Sequence, residues 1–433
     1  MPYSTDTRTL QPGDTYVAIR GETHDGHRFI PQALDKGATG IVTEVDVDVP
    51  EGVRLTRVDD SVAHLVAEAS AKLRRVGPEV VAITGSVGKT TTRTAIEAVL
   101  REGFSVTASE GNKNTPLGLS LMLLNRDFDA DGVLVLEMGA RLPGDIAELC
   151  AAFPPTVSVV TAVKAVHVET LGSIDGVQRE KSEIVRALPA SGTAVLNADD
   201  PRVRAMADVT AASVRTFGLG PEADLRPDRI TADLPILGAH AVPTALSAFA
   251  VAEALGMDDA AINRGLAVIV PETGRLNKLP GRAGSTLIDD TYNASPDATV
   301  AALGVLRALP GTRRVACLGD MLELGDTEVA QHADTLRAAL DHADVVHAVG
   351  PIMAEAVGSL GPRGKRITTW AASEDLAEAV RSGAAGVPEA GDVVLVKGSQ
   401  GTRMERVSGA VLHPDIEAAD VLPRQTEAWK AIR

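Results

Sequence analysis

Short apolar runs alternate along the chain with stretches whose apolar residues fall at helical spacing. Val80–Ile83 predicts a strand buried on both faces of a parallel sheet, and Ala95, Ile96, Val99 and Leu100 mark one face of a helix after it. Nearer the start, Phe29, Ile30, Ala33 and Leu34 predict a helix that Gly37 stops, set between strands at YVAI and Gly40-Ile41-Val42. GVLVLEMGA, TVSVVTAV, GTAVLN and STLIDD continue the strand series. Another group, RVACLGDM, DVVHAVG and DVVLVKGS, starts after Pro310-Gly311 and is interleaved with helical stretches such as HADTLRAAL and LAEAVRSG. Breaks at Gly77-Pro78 and Pro310-Gly311 divide this α/β chain into three expected domains. These are a small N-terminal α/β domain (1–76), a central domain with a mostly parallel sheet (77–310) and a Rossmann-like α/β domain (311–433).

Between the strand at Val80–Ile83 and its helix the chain reads TGSVGKTTT. Gly85 and Gly88 let the backbone turn tightly and present N–H groups to an anion, Lys89 supplies a point charge for outer phosphates, and the Thr90 hydroxyl suits Mg2+. Ile83 stands where the usual spacing has a glycine, so this is a variant phosphate loop. ATP or GTP binding is the starting expectation. Glu137 ends a Val/Leu run, where a carboxylate is costly without a cation, and Mg2+ beside the phosphates would provide one. His167, Asn197, Asp199-Asp200 and Asp289-Asp290 also stand at strand ends. Ligands of open parallel sheets bind outside those carboxyl ends, which predicts one shared site. Lys181 lies on the apolar stripe of Ile174, Val177, Ile184, Val185 and Leu188, and the pattern alone predicts that it snorkels outward. Asn112, Asn114 and Thr115 precede an apolar helix, whose cap accounts for at most one of them. Asp6-Thr7-Arg8 and Asp25-Gly26-His27 read as turn formers.

Composition narrows the field. A chain of 433 residues exceeds the size at which one core stops growing. Its net charge of -16 argues against broad phosphate-backbone binding, so no nucleic-acid partner is expected. No apolar run has membrane-spanning length, and MPYSTDTRTL lacks a basic region followed by an apolar one, which predicts a cytoplasmic protein without a membrane partner. Cys150 and Cys317 lie far apart in apolar surroundings and are expected as core residues. The last strand group has no GxGxxG fingerprint, so no dinucleotide is implied.

With these motifs in order, the chain resembles the Mur ligases, ATP-dependent amide-forming enzymes of peptidoglycan synthesis, over almost its whole length. The series runs TGSVGKTTT, GNKNTPLG, EMGARLPGDIAEL, HVETLGS, REKSEI, LNADDP, DDTYNASP, LGDMLELG and KGSQGTRME. The last two are similar to those of the members that join D-alanyl-D-alanine to a UDP-muramoyl tripeptide. The resemblance implies a C–N bond made in two steps: a substrate carboxylate takes the γ-phosphoryl group of ATP, and the incoming amine then displaces phosphate. It implies that Gly85, Ser86, Val87, Gly88, Lys89, Thr90 and Thr91 cradle the phosphates, with Asn197, Arg275, Asp290 and Tyr292 around the nucleotide. Thr90, Glu137 and His167 would serve Mg2+, and Lys181 matches the lysine that CO2 converts to a carbamate beside a second metal ion. Lys89, His167 and Lys181 would be catalytic. Asp6, Thr7 and Arg8 would contact the UDP part, with Asn112, Asn114 and Thr115 as further substrate contacts. Asp320, Glu323, Lys397 and Ser399 would help a closing last domain bind the dipeptide, in a monomer. Ala162, Ala241 and Thr244 stand where the family has asparagines. The alternatives are a Mur-type ligase with another amine or acyl substrate, and a nucleotide-binding scaffold without catalysis.

Overall fold

The computed structural model describes residues 2–21, 24–111, 113–165 and 168–430. The chain forms two compact units, Met1–Asp233 with Pro243–Val268, and Leu234–Val242 with Ile269–Arg433.

The first unit holds two parallel sheets. One has β1 (Tyr3–Ser4), β2 (Thr15–Val17), β3 (Gly40–Thr43) and β4 (Arg54–Arg57) side by side in that order. Its inner strands are buried, whereas the edge strand RLTR is largely exposed and polar, so hydrophobic periodicity does not mark it. The helix expected from Phe29 starts one residue later, at Ile30, because Asp25 accepts from His27 N and turns Gly26–Phe29 into a tighter 3-10 segment.

The other sheet has β5 (Glu79–Thr84), β6 (Val106–Ala108), β7 (Val133–Glu137), β8 (Val157–Val160), β9 (Thr193–Asn197) and β10 (Ser213–Phe217), in the order β10-β9-β8-β5-β7-β6. Every pairing is parallel. β5 lies centrally, where the chain, having gone to the β7 and β6 side, returns to the β8 side; ligands of such sheets bind at this switch. The helix Ser61–Val76 is capped by the Asp60 side chain and by left-handed Gly77. Its Leu65, Ala69 and Leu73 fall at four-residue spacing, and Ala69 and Leu73 pack with Leu119, Met122 and Leu123 of the helix Pro116–Asn125. Each such buried leucine contributes about 1.5–3 kcal/mol.

The second unit is built on β11 (Asn277–Pro280), β12 (Thr286–Asp290), β13 (Arg313–Gly319), β14 (Val345–Val349), β15 (Ile367–Trp370) and β16 (Asp392–Lys397), in the order β11-β12-β16-β13-β14-β15. Only β11 is antiparallel, against β12. Alternate residues bury opposite faces. Ile288, Ala316 and Leu395 join the core under the helices Pro296–Ala308 and Glu328–His342. Leu287, Val315, Cys317 and Val394 join the core under Ser373–Arg381 and Glu405–Val411.

Two expectations are corrected here. β12 runs alongside β16 from Thr286↔Val393 to Asp290↔Lys397, so the C-terminal body begins near Ile269 and not at 311. Pro310-Gly311 is only the turn between the helix Pro296–Ala308 and β13. Asp289-Asp290 therefore end a strand of the C-terminal sheet, while Glu137 and Asn197 end strands of the central one, so the single shared sheet edge does not hold. Cys150 and Cys317 are free and buried, as expected of core residues, and burial pushes both thiols up to about 12.

Candidate active site

The phosphate loop leaves β5 at Thr84 and enters the helix Lys89–Leu100 through Gly88, which takes the left-handed conformation at φ 80°. Gly85 is fixed by crowding: a Cβ there would lie 1.9 Å from Thr161 Oγ1. Thr161, just past β8, straps the loop by donating its hydroxyl to Val87 O at 2.6 Å, and Ser86 N donates to Ala162 O at 2.8 Å. Asn197, ending β9, donates its amide to Thr161 O at 2.8 Å, so it supports the strap. Lys89 Nζ donates to Gly85 O at 2.8 Å across the loop. Thr91 follows on the first turn of the helix.

Beneath this loop lies Glu137, ending β7 and 3 % exposed. Its carboxylate accepts from Thr90 Oγ1 and from Asn114 Nδ2, each at 2.9 Å. Gly139 keeps Asn114 close, since a Cβ there would come within 2.9 Å of the amide carbon. Thr115, by contrast, accepts from Gly118 N and caps the helix Pro116–Asn125. A buried carboxylate beside a hydroxyl offers hard oxygen donors of the kind Mg2+ takes, and Glu137 and Thr90 fit that ion, with the Asn114 amide orienting the carboxylate. Among the described residues no group of three His, Cys, Asp or Glu gathers as a metal cluster. Asn112 and His167 lie outside the described residues.

Lys181, on the helix Ile174–Arg186, is 4 % exposed, which corrects the snorkelling expectation. Burial draws its ammonium down to about 8; the Lys89 charge adds to this and Glu180 opposes it. Glu180 itself accepts from Gly144 N at 2.7 Å and Ile146 N at 2.8 Å, joining its helix to the start of Asp145–Ala152. That cross-link between helices carries no sequence signal.

At the N-terminal sheet, Asp6 and Arg8 pair at 2.7 Å, and the Arg8 hydrogen bonds hold the Asp6 carboxyl below its usual range. Thr7 is buried and donates to Gln32 Oε1 at 2.9 Å. Asp6 shares a groove of about 350 Å³ with Tyr3, Lys113, Asn125 and Arg126, so the structure brings this N-terminal polar cluster to the loop after β6.

In the second unit Asp290 meets Lys397 Nζ at 2.6 Å, and Lys397 also donates to Asn293 O at 2.9 Å. The Arg275 guanidinium lies 4.3 Å from the Tyr292 ring centre. Four of the expected residues thus gather at the ends of β12 and β16. Asp320, past β13, accepts from Met353 N at 2.8 Å and Ile352 N at 3.4 Å; burial raises its carboxyl against these bonds. Ser399 N donates to Asp320 O at 3.0 Å and Ser399 Oγ accepts from Leu322 N at 2.9 Å, while Glu323 sits exposed on a left-handed turn. Asp289, named with Asp290 at the strand end, is fully buried and accepts from Ser408 at 2.6 Å and Thr291 at 2.8 Å, an enclosure that the sequence does not signal.

A phosphate loop at the switch point of a parallel sheet, followed by a second doubly wound sheet, is the plan of a class of nucleotide-dependent ligases. Three family models match in sequence order: the Mur ligase family catalytic domain at residues 3–86, the Mur ligase middle domain at 83–252, and the Mur ligase glutamate ligase domain at 274–400. The chain belongs to the Mur ligase family. It is 31% identical over 425 residues to the UDP-N-acetylmuramoyl-tripeptide–D-alanyl-D-alanine ligase of Bacillus subtilis, covering 93% of this chain and 91% of that one. Among solved structures, MurF from Acinetobacter baumannii superposes with a TM-score of 0.87 at 28% identity, covering 94% of this chain and 92% of its own. MurF ligase from Thermotoga maritima in complex with ADP gives 0.79 at 29% identity, covering 94% and 96%.

Proposed function

We propose that this protein is an ATP-dependent ligase that joins D-alanyl-D-alanine to UDP-N-acetylmuramoyl-tripeptide, releasing ADP and phosphate. The observation that carries this reading is the buried Glu137 carboxylate held by Thr90 and Asn114 directly beneath the phosphate loop. The tripeptide carboxylate attacks the γ-phosphorus, ADP leaves, and an acyl phosphate forms. The dipeptide amine then attacks the acyl carbon, the C–O bond to phosphate breaks, and the amine loses its proton.

The chain's part is to position reactants and neutralise charge. Lys89 and the amides of Gly85, Ser86, Val87, Gly88, Thr90 and Thr91 hold the phosphates. Bound Mg2+ supplies charge neutralisation, with Thr90 and Glu137 as its proposed ligands and His167 added by family resemblance. Lys181 as a carbamate would place a carboxylate for a second ion. Its burial and lowered ammonium suit reaction with CO2. Asn197, Arg275, Asp290 and Tyr292 are proposed nucleotide contacts; Asp6, Thr7, Arg8, Asn112, Asn114 and Thr115 serve the UDP-linked substrate. Asp320, Glu323, Lys397 and Ser399 serve the dipeptide. No helix among the described residues is long and apolar enough to cross a membrane. We place the reaction in the cytoplasm and the protein as a monomer without a nucleic-acid partner.

A second reading, a Mur-type ligase using another amine, is favoured by Ala241 and Thr244, which are buried and lack the family amides. Phosphate release measured with UDP-muramoyl tripeptide across a panel of amines decides: release with D-alanyl-D-alanine supports the first reading, release only with others the second. Lys89→Ala abolishes turnover in both, and unchanged function in that variant would leave the scaffold reading.

A further inference from the structure

In the second unit, a segment distant in sequence from the β12 strand end reaches it with one side chain. Arg424, left-handed at φ 58° and with a buried side chain, donates to the carbonyl of Thr291 and, at 3.2 Å, to that of Tyr292. The same guanidinium meets Glu405 Oε2 at 3.0 Å, and Arg403 meets Oε1 at 2.5 Å. Binding two carbonyls and a carboxylate at once needs the planar fork of arginine, which a point-charge ammonium does not reproduce.

The opposite side of Tyr292 is equally confined. Tyr292 N donates to Gly274 O at 3.0 Å, and a Cβ on Gly274 would lie 2.9 Å from Tyr292 N and 3.0 Å from Pro423 Cγ. Arg275 then stacks on the ring. Buried ion pairs add little stability over apolar packing, so the energetic return of this triad is small. What its geometry does is fix the two carbonyls around Tyr292.

We propose that Arg424 is a positioning residue for nucleotide binding, holding Tyr292, and through it Arg275, in the orientation that meets the nucleotide. The proposal rests on the reading of Arg275 and Tyr292 as nucleotide contacts. Its test is calorimetric titration of the full chain with ADP and Mg2+, comparing wild type, Arg424→Lys, Tyr292→Ala, Arg275→Ala and the Arg424→Lys/Tyr292→Ala pair. Arg424→Lys keeps the charge opposite Glu405 and so the fold, but raises the ADP Kd about tenfold through loss of a charge-assisted hydrogen bond. In the Tyr292→Ala background the same change moves Kd by less than about twofold, because both act through one group. An unchanged Kd in Arg424→Lys, whatever its unfolding temperature, overturns the proposal, and so does a full tenfold effect added to that of Tyr292→Ala. Should Tyr292→Ala and Arg275→Ala both bind ADP like wild type, the nucleotide reading of this segment falls too, an outcome separable from failure of Arg424 alone.

Discussion

Removing CO2 from the enzyme tests the chemistry of Lys181 directly. The side chain is 4 % exposed, and burial, reinforced by Lys89 and opposed by Glu180, brings its ammonium down to about 8. At pH 7.5 a group titrating near 8 is free amine in about one molecule in four, against about one in 800 for an ordinary lysine near 10.4. Burial therefore enriches the free amine, the form that would attack CO2 in the proposed carbamylation, by about two orders of magnitude. In that step the amine lone pair would form the N–C bond to CO2 and a proton would be lost, leaving a carbamate. Phosphate release should fall in CO2-depleted buffer and return with added bicarbonate, and labelled bicarbonate should give a carbamate resonance by carbon NMR that Lys181→Gln lacks. Carbamate occupancy should drop as pH falls below about 8, where the amine is protonated. Lys89→Met removes the nearby like charge, so it should raise the Lys181 ammonium and lower carbamate occupancy. Full activity without bicarbonate, together with no carbamate signal, would falsify the assignment.

Two further outcomes follow from individual contacts. Gly85→Ala drives a methyl group to 1.9 Å from Thr161 Oγ1, so either the loop or its strap must move; overpacking costs about 1–3 kcal/mol. Calorimetry should show a lower unfolding midpoint and much weaker Mg-ADP binding, and wild-type binding would mean the loop does not need this geometry. Asp289 is fully buried, and burial raises its carboxyl from 3.8 to about 7, against hydrogen bonds from Ser408 and Thr291. The folded state keeps a proton that the unfolded chain has released between these values, so Asp289 lowers stability as pH rises from about 4 to about 7, with the full penalty above 7. Asp289→Asn should unfold at a temperature that exceeds that of wild type by more at pH 8 than at pH 4; a difference independent of pH would show that the carboxyl does not titrate there.

The strand, glycine turn and helix around Lys89 were legible in the sequence because each rests on local rules: an apolar run, two glycines and helical spacing within twenty-odd residues. The parallel strands ending in Glu137, Asn197 and Lys397 were legible for the same reason, since strands buried on both faces read as apolar runs. The edge strand RLTR was not, as its pairing with β3 leaves no hydrophobic signature. Nor was the boundary near Ile269, because which sheet β12 joins depends on pairing with β16, about a hundred residues away.

Tertiary structure alone decided the electrostatics. Whether a lysine on an apolar stripe reaches water or stays buried, as Lys181 does, turns on what packs over it. That Glu137 is met by Thr90 and Asn114, Glu180 by two amides of another helix, and Glu405 by Arg424, is likewise set only when distant segments meet. Local sequence determines backbone conformation through short-range sterics and burial. The energy of a charge depends on its whole surroundings, and those exist only in the folded chain.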